Sequence, residues 1–143
     1  MLTRLLVLSL TVFCLSCQSN KNSTQSNWEE VRGSGDMKIK NAALEALQAK
    51  ITEQQKNGSL KKTNLFAHIK NEYEANQYLI KNYIDLMLYY ENKHKNFWIT
   101  NIEQMDTSRA SKDRMIDTVQ RTNRIEQLLT DAIWNTAQSH NPK

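Results

Sequence analysis

Glycine and proline are very scarce in this sequence. The 143 residues include only 3 glycines and 1 proline, whereas β-rich domains need both residue types at their many turns. This scarcity argues against a turn-rich β-protein and favours long helices. Apolar residues make up only 39% of the chain, which indicates a thin helical core. We therefore expect an all-α fold, a small helical bundle or helical hairpin of about three helices with one long central amphipathic helix.

A strong charge of either sign is also missing. The formal net charge is +4, and removal of Arg4 with a leader would leave +3 (+4 − 1). The basic residues are scattered among acidic ones, whereas a nucleic-acid-binding surface needs a basic patch or stripe. We therefore expect no nucleic-acid partner.

Motifs that carry catalytic or metal chemistry are missing too. The sequence has no glycine-rich phosphate loop, no nucleophile elbow and no metal-spaced His or Cys cluster. His68 and His94 lie on one predicted helix, about 39 Å apart along its axis, so they cannot share a metal. Glu91 and His94 have the i, i+3 spacing of di-iron bundles, but no second Glu-x-x-His occurs. We expect no catalytic residue, no metal site and no cofactor, and hence no enzyme.

The first residues are typical of a secretory leader. Arg4 is followed by an almost wholly apolar stretch over 5–15, and then by Ser16 and Cys17. A positive charge, a short apolar run and a small residue before the cleavage point characterise a signal peptide. The run of about 11 residues is too short for the roughly 20 that a membrane-spanning helix needs. We therefore predict a signal peptide over 1–16.

The segment Leu15-Ser16-Cys17 resembles the lipobox of bacterial lipoprotein signal peptides. Ser16 and Cys17 fit the family pattern, while Cys14 stands where an aliphatic residue is usual and Leu15 where a small one is preferred. The resemblance implies cleavage after Ser16 and diacylation of the Cys17 sulfur, so that membrane lipid is a partner through this anchor. Because Gln18 is not the aspartate that retains lipoproteins in the inner membrane of enteric bacteria, the resemblance favours the outer membrane.

The cysteine count agrees with this interpretation. Cys14 and Cys17 are the only cysteines, and cleavage would leave Cys17 alone at the new N-terminus, where no intramolecular disulfide could form. A diacylglycerol group supplies two chains, which is the condition for stable anchoring. The alternative is a plain secretory peptide in which both cysteines serve as small hydrophobic residues.

After the leader the chain turns polar. Residues 18–35 are rich in Ser, Asn, Gln and Gly, a composition that buries too little apolar surface to fold. We predict a lipid attachment site and flexible tether over 17–35, a helical domain over 36–138 and a frayed tail over 139–143. Trp28 is the one large apolar group of the tether, and it packs on the domain, rests at the lipid interface or docks a partner.

The helical domain contains three predicted helices. Asp36 is a candidate N-cap for the first, over 37–56, which Asn57-Gly58 would end. The third would run over about 108–137. It follows either a break near Asp106-Thr107-Ser108 or a kink in a helix that continues from the second.

The second helix is the strongest periodic signal in the sequence. Spacings of three and four residues alternate for about four to five heptads without Gly or Pro, which is typical of a long amphipathic helix. This stripe consists of Phe66, Ile69, Tyr73, Asn76, Ile80, Tyr83, Met87, Tyr90, His94 and Phe97. Because the first helix is much shorter, the end of the second over 90–102 should stay uncovered, which predicts a homo-oligomer through that end.

Aromatic rings that three thin helices cannot all cover are candidates for a protein-binding surface. These rings are Tyr78, Tyr89 and Trp98, together with Trp28 of the tether. With the anchor, they favour an envelope lipoprotein whose helical domain binds another envelope protein as a structural or accessory component. A part of a secretion or conjugation machine and an exclusion protein are examples of such roles. The alternative is a ligand-binding protein or enzyme with a pocket between helices, lined by Tyr83, Met87, Tyr90 and His94.

Overall fold

The described part of the chain is all-α. The computed structural model describes the backbone over 23–60 and 66–140, without the side chains of 23–29, 31 and 140. Within these ranges it contains four helices and no strand: α1 (Ser23–Lys56), α2 (Glu72–Glu103), α3 (Arg109–Arg121) and α4 (Arg124–His140). The expected fold class, a small all-α bundle, is therefore confirmed.

The chain divides into two units, Met1–Ser34 and Gly35–Lys143. In the first unit the structure describes residues 23–34, all of them in α1. The predicted signal peptide over 1–16, with its cleavage residue, and the lipid-attachment residue Cys17 lie outside the described residues and stay predictions.

Helix α1 begins earlier than the sequence predicts. Asp36 lies in the interior of this helix, so its prediction as an N-cap is wrong. Its carboxylate binds side chains instead of a backbone N–H at a helix start. Residues 23–35, expected in an irregular tether, are helical, because no proline interrupts them and each residue added to an existing helix gains a hydrogen bond.

Gly35 allows α2 to approach α1 closely. A Cβ at this position would lie 2.5 Å from Cζ of Phe97, whereas one at Gly33 would meet nothing within 4 Å. The first distance is far below van der Waals contact, so only glycine accommodates the ring where it stands. The Gly-Ser-Gly composition had suggested a flexible linker, but at Gly35 it serves a close helix contact.

The buried face of α1 follows a four-residue spacing. Ile39, Ala43, Leu47 and Ile51 are all buried, as one face of a helix requires. The helix ends at Lys56, and the glycine of the predicted stop has a φ of 80° in the left-handed region. The predicted end of this helix is confirmed.

Helix α2 begins at Glu72, after the N-cap Asn71, whose side chain accepts from the backbone N–H of Glu74. Phe66 and Ile69 are almost fully buried but belong to the turn before the helix. The predicted stripe therefore began in a segment that is not helical. As a result, its early members do not fall on the buried face of α2. Tyr73, one of them, is 72% exposed.

Beyond this start the buried face of α2 is regular. It consists of Ala75, Leu79, Tyr83, Met87, Glu91, His94 and Ile102. The prediction is correct for Tyr83, Met87 and His94, and it missed Glu91.

A kink interrupts α2 at Tyr83, where φ is −136° and ψ is 26°. One residue earlier, the side-chain amide of Asn82 donates to the carbonyl oxygen of Tyr78 at 2.9 Å. That oxygen is the one to which an α-helix assigns the backbone N–H of Asn82. A side chain that enters the hydrogen-bond ladder in this way is a known cause of helix bending.

The C-terminal part contains two helices where one was predicted. The expected break after α2 is confirmed, with Ser108 as the N-cap of α3. A second break at Thr122, whose backbone is extended, separates α3 from α4 and makes the prediction of one helix over 108–137 wrong. Helix α4 supplies Ile125, Leu129, Ile133 and Ala137 to the core, and it continues to residue 140, into the stretch predicted as a frayed tail.

One stretch of α2 binds both sides of the break between α3 and α4. Oε2 of Glu91 accepts the backbone N–H groups of Ile125 and Glu126 at 2.8 and 2.9 Å. Lys95 donates to the carbonyl oxygen of Gln120 at 2.8 Å and to Oδ1 of Asn123 at 3.0 Å. A carboxylate thus meets the N-terminus of α4 and an ammonium the C-terminus of α3, as the helix dipoles favour.

The C-terminal end of α2, over 90–102, was expected to stay uncovered by other helices. The contacts of Glu91 and Lys95 lie within this stretch. Glu91, His94 and Ile102 are buried there. The expectation is wrong because Asp36 of α1 contacts His94 there and because α3 packs on α2. Homo-oligomerisation stays a prediction, but this reason for it no longer holds.

Replacement of Glu91 by Ala should destabilise the fold strongly. The change leaves two backbone N–H groups of α4 without their acceptor, which costs about 2–3 kcal/mol in the free energy of unfolding. Glu91→Gln, which keeps an accepting oxygen, should lose less. Urea denaturation followed by circular dichroism measures both values. Glu45→Gln, at an exposed position of α1, is the matched control, and a loss as large in this control would contradict the capping role.

Candidate functional site

A polar network joins α1 to the C-terminal half of α2. Oδ1 of Asp36 lies 2.6 Å from Nε2 of His94 and accepts the indole N–H of Trp98 at 2.9 Å. Its second oxygen binds the ammonium of Lys40 at 2.7 Å. An ionised carboxylate only accepts hydrogen bonds, so the contact with Asp36 requires the proton on Nε2 of His94. In that tautomer Nε2 does not accept from the indole N–H of Trp98, which lies 3.2 Å away. The side chains of His94 and Asp36 are only 5% and 13% exposed, so the network is largely shielded from water.

The environment of Asp36 favours its ionised form. Burial by itself would raise the pKa of this carboxyl, but hydrogen bonds from Lys40, Trp98 and His94 outweigh that effect and hold the pKa below its ordinary value. Asp36 is therefore ionised at neutral pH. It stabilises the fold above the pKa that it has in the unfolded chain, and this stability is lost as the pH falls through the lowered pKa.

A cavity of about 330 Å³ opens beside this network, near the lower end of the volumes typical of small-molecule sites. Its lining residues come from all four helices and from the break between α3 and α4. They are Asp36, Lys40, His94, Trp98, Thr118, Val119, Thr122 and Arg124. The cavity thus combines a carboxylate, an imidazole, two cationic groups and an indole ring.

The pocket expected from the sequence differs from this cavity. Of its four predicted lining residues only His94 is among those that line the cavity. Tyr83 and Met87 are buried in the core, and Tyr90 packs against it half-buried. The hydroxyl of Tyr83 donates to Oε1 of Gln54 at 2.5 Å, and burial raises the pKa of this tyrosine.

Sequence reasoning missed Asp36, Lys40 and Arg124 as cavity residues. A signal for Asp36 was present, because the four-residue spacing of α1 places it one step before Ile39 and Ala43 on the buried face. An acid on a buried face needs donors from another element. No comparable local pattern marks Arg124, whose place depends on the break between α3 and α4.

The four predicted partner-binding rings have different environments. Tyr78 is half-buried and meets the Phe66 ring edge-on, with the ring centroids 4.9 Å apart. Trp98 is half-buried, and its indole N–H donates a hydrogen bond to Asp36. The side chain of Trp28 lies outside the described residues. Tyr89 is 59% exposed, and it alone of the four has a described ring that is open to a partner.

Tyr89 belongs to a small exposed apolar face of α2, formed with Ile84 and Leu88. These side chains are 59%, 42% and 47% exposed, respectively. Ile84 and Leu88 are i, i+4 neighbours on the helix surface, and Tyr89 follows Leu88, about 100° further around the helix. The Tyr89 ring meets the Tyr90 ring edge-on at 4.9 Å, and Nζ of Lys93 lies 5.8 Å from its centroid. These contacts restrict the ring although it faces solvent.

Two further kinds of feature are absent from the described residues. Among them, no group of three or more His, Cys, Asp or Glu side chains is placed to hold a metal ion. No helix in the same part of the chain has both the length and the apolar character needed to cross a membrane.

Comparisons with known proteins find no relative. No protein-family model matches the chain, and neither a curated protein nor a solved structure is similar to it. The site is therefore interpreted from its own geometry.

Replacement of Asp36 by Asn should change how stability depends on pH. At pH 7 we expect a loss of about 2 kcal/mol, because two buried donors and one ammonium lose a charged acceptor. The wild-type protein should lose stability as the pH falls through the ordinary carboxyl range and then through the lowered pKa of Asp36, and the variant should lose less over the same range. Urea denaturation at a series of pH values measures both effects.

The matched control is Asp117→Asn, which removes the same charge from an exposed ion pair with Arg121. Such pairs contribute little to stability. If this control and Asp36→Asn have the same stability at pH 7 and the same pH profile, the network does not stabilise the fold as described.

Proposed function

We propose that the protein is a membrane-anchored envelope lipoprotein whose helical domain binds another envelope protein as a structural or accessory component. The observation that carries the proposal is the exposed apolar face of Ile84, Leu88 and Tyr89 on α2. Large apolar side chains that stay exposed to water within two turns of one helix are typical of interaction surfaces.

The composition of the face supports a protein partner. Tyrosine is enriched among the residues that dominate binding energy at interfaces, since it combines apolar area with a polar tip. The contact with Tyr90 already restricts the Tyr89 ring, which lowers the entropy lost on binding. Lys81 and Lys93 are exposed near the face, against one exposed acid, Asp85. A helix with an apolar side flanked by acidic residues would complement it.

The anchor is the second part of the proposal and rests on the leader. Ser16 and Cys17 fit the lipobox-like pattern, and Gln18 favours the outer membrane in the sorting that enteric bacteria use. An anchor would keep the helical domain close to the membrane and so limit its partners to proteins of the envelope. It would also raise the effective concentration of those partners.

Crosslinking from position 89 tests the partner-binding face. A photoreactive phenylalanine that replaces Tyr89 in intact cells should form an adduct with one protein. The same group at Tyr73 is the control, since that residue is 72% exposed on the same helix but about 24 Å away along it. Leu88→Lys should remove the adduct at position 89, because a charge in the face opposes burial.

The result can contradict the proposal in two ways. No adduct at position 89, or the same adducts at both positions, would show that the face does not bind a specific partner. An adduct at position 89 that persists in the Leu88→Lys variant would show that the crosslinker captures a protein that is merely nearby and does not bind through the face.

Replacement of Cys17 by Ser tests the anchor. We expect the wild-type protein to sediment with the outer membrane and to carry the mass of a diacylglycerol group. The variant should lose both properties, because the sulfur that bears the lipid is gone. Membrane fractionation and intact-mass spectrometry measure the two outcomes, with Cys14→Ser as the control. A variant that stays in the membrane with unchanged mass would exclude lipidation at Cys17.

A further inference from the structure

We propose that the cavity beside Asp36 binds a small organic anion, a free molecule that carries a carboxylate or phosphate next to an apolar ring or chain. This goes beyond partner binding and does not depend on it. Trp98, which lines the cavity, comes nine residues after Tyr89 and therefore lies roughly 180° around α2 from it. Leu88 and Ile84 lie only about 80° and 40° around the helix from Trp98, but about 15 and 21 Å away from it along the axis. The cavity and the exposed apolar face therefore belong to different stretches of α2.

The charge of the lining favours an anion. Asp36 is the only acid among the lining residues, against the cations Lys40 and Arg124. Its carboxylate is already bound by Lys40, His94 and Trp98, so it offers little to a cationic ligand. Burial of a second anion next to a compensated carboxylate requires a cation that is still free.

Arg124 supplies that free cation. Its side chain is exposed, and no hydrogen-bond or ion-pair partner is found for it among the described residues. It is the first residue of α4. A guanidinium binds carboxylates and phosphates through two parallel hydrogen bonds.

The remaining lining limits what else can recognise the ligand. The hydroxyl of Thr118 donates to the carbonyl oxygen of Arg114 at 2.9 Å, and that of Thr122 donates to the carbonyl oxygen of Thr118 at 2.7 Å. These hydroxyl protons are not available to an anion. Trp98 and Val119 offer apolar surface, which suits a ring or short chain beside the charged group. Recognition of the anion therefore depends on Arg124.

A titration with benzoate tests the proposal on the full chain, labelled with ¹⁵N and held in detergent micelles. The indole N–H signal of Trp98 should shift and saturate at millimolar benzoate. The indole of Trp134 is the internal reference, since it packs against the core and does not line the cavity. Benzylamine, with the same ring and the opposite charge, should not shift the Trp98 signal.

Variants at two arginines separate cavity binding from general attraction of anions. Arg124→Gln should weaken benzoate binding about tenfold, the effect of one strong hydrogen-bonded charge. Arg121→Gln removes the same charge from a side chain that is 79% exposed and does not line the cavity, and it should leave the affinity unchanged. Both positions are exposed, so both variants should fold, which the dispersion of the amide spectrum checks.

Several results would overturn the proposal. These are a benzoate shift that does not saturate, an equal shift of Trp134, an equal effect of benzylamine, and an equal affinity of the Arg124→Gln and Arg121→Gln variants. Each outcome concerns the cavity alone, so failure here is distinct from failure of the crosslinking test of the exposed face.

Discussion

The packing of the domain depends on the need of two buried carboxylates for hydrogen-bond donors. A buried charge without partners costs several kcal/mol, and neither Asp36 nor Glu91 finds enough donors on its own helix. Asp36 of α1 takes donors from α2 as well as from Lys40. Glu91 of α2 takes the first free backbone N–H groups of α4. Each carboxylate thus determines where a second helix lies, and α2 takes part in both contacts.

This arrangement gives α2 two different sides. The inner side carries the capping contact of Glu91, the imidazole of His94 and the wall of the cavity. The outer side carries Tyr89, and Leu88 lies at its border; both side chains are exposed. The carboxylate of Asp36 is engaged by its three donors, whereas Oε1 of Glu91 is buried without a hydrogen-bond partner among the described residues. The guanidinium of Arg124, for which no partner is found in the same part of the chain, is the cation left for a ligand. On the outer side, uncovered apolar area remains for a protein.

Patterns that arise within one helix were predictable. The four-residue face of α1, its glycine stop and the break before Ser108 all follow from local hydrogen bonding and helix geometry. The register of α2 was predicted correctly from Tyr83 onward and wrongly before it. The reason is that Phe66 is buried in a turn, and the spacing of apolar residues does not distinguish a buried turn from a helical stripe.

The sequence by itself therefore determined the helical class, the end of α1, the break before α3 and much of the apolar face that builds the core, because these depend on neighbours within a few residues. Only the tertiary structure decided the role of the two buried acids. Asp36 had the local signature of an N-cap, and Glu91 that of a solvent-exposed glutamate or a metal ligand. Their donors lie 58 and 34 residues away along the chain, a separation that no local pattern records. The cavity depends on the same distant contacts, since its lining comes together only when four helices and one break meet.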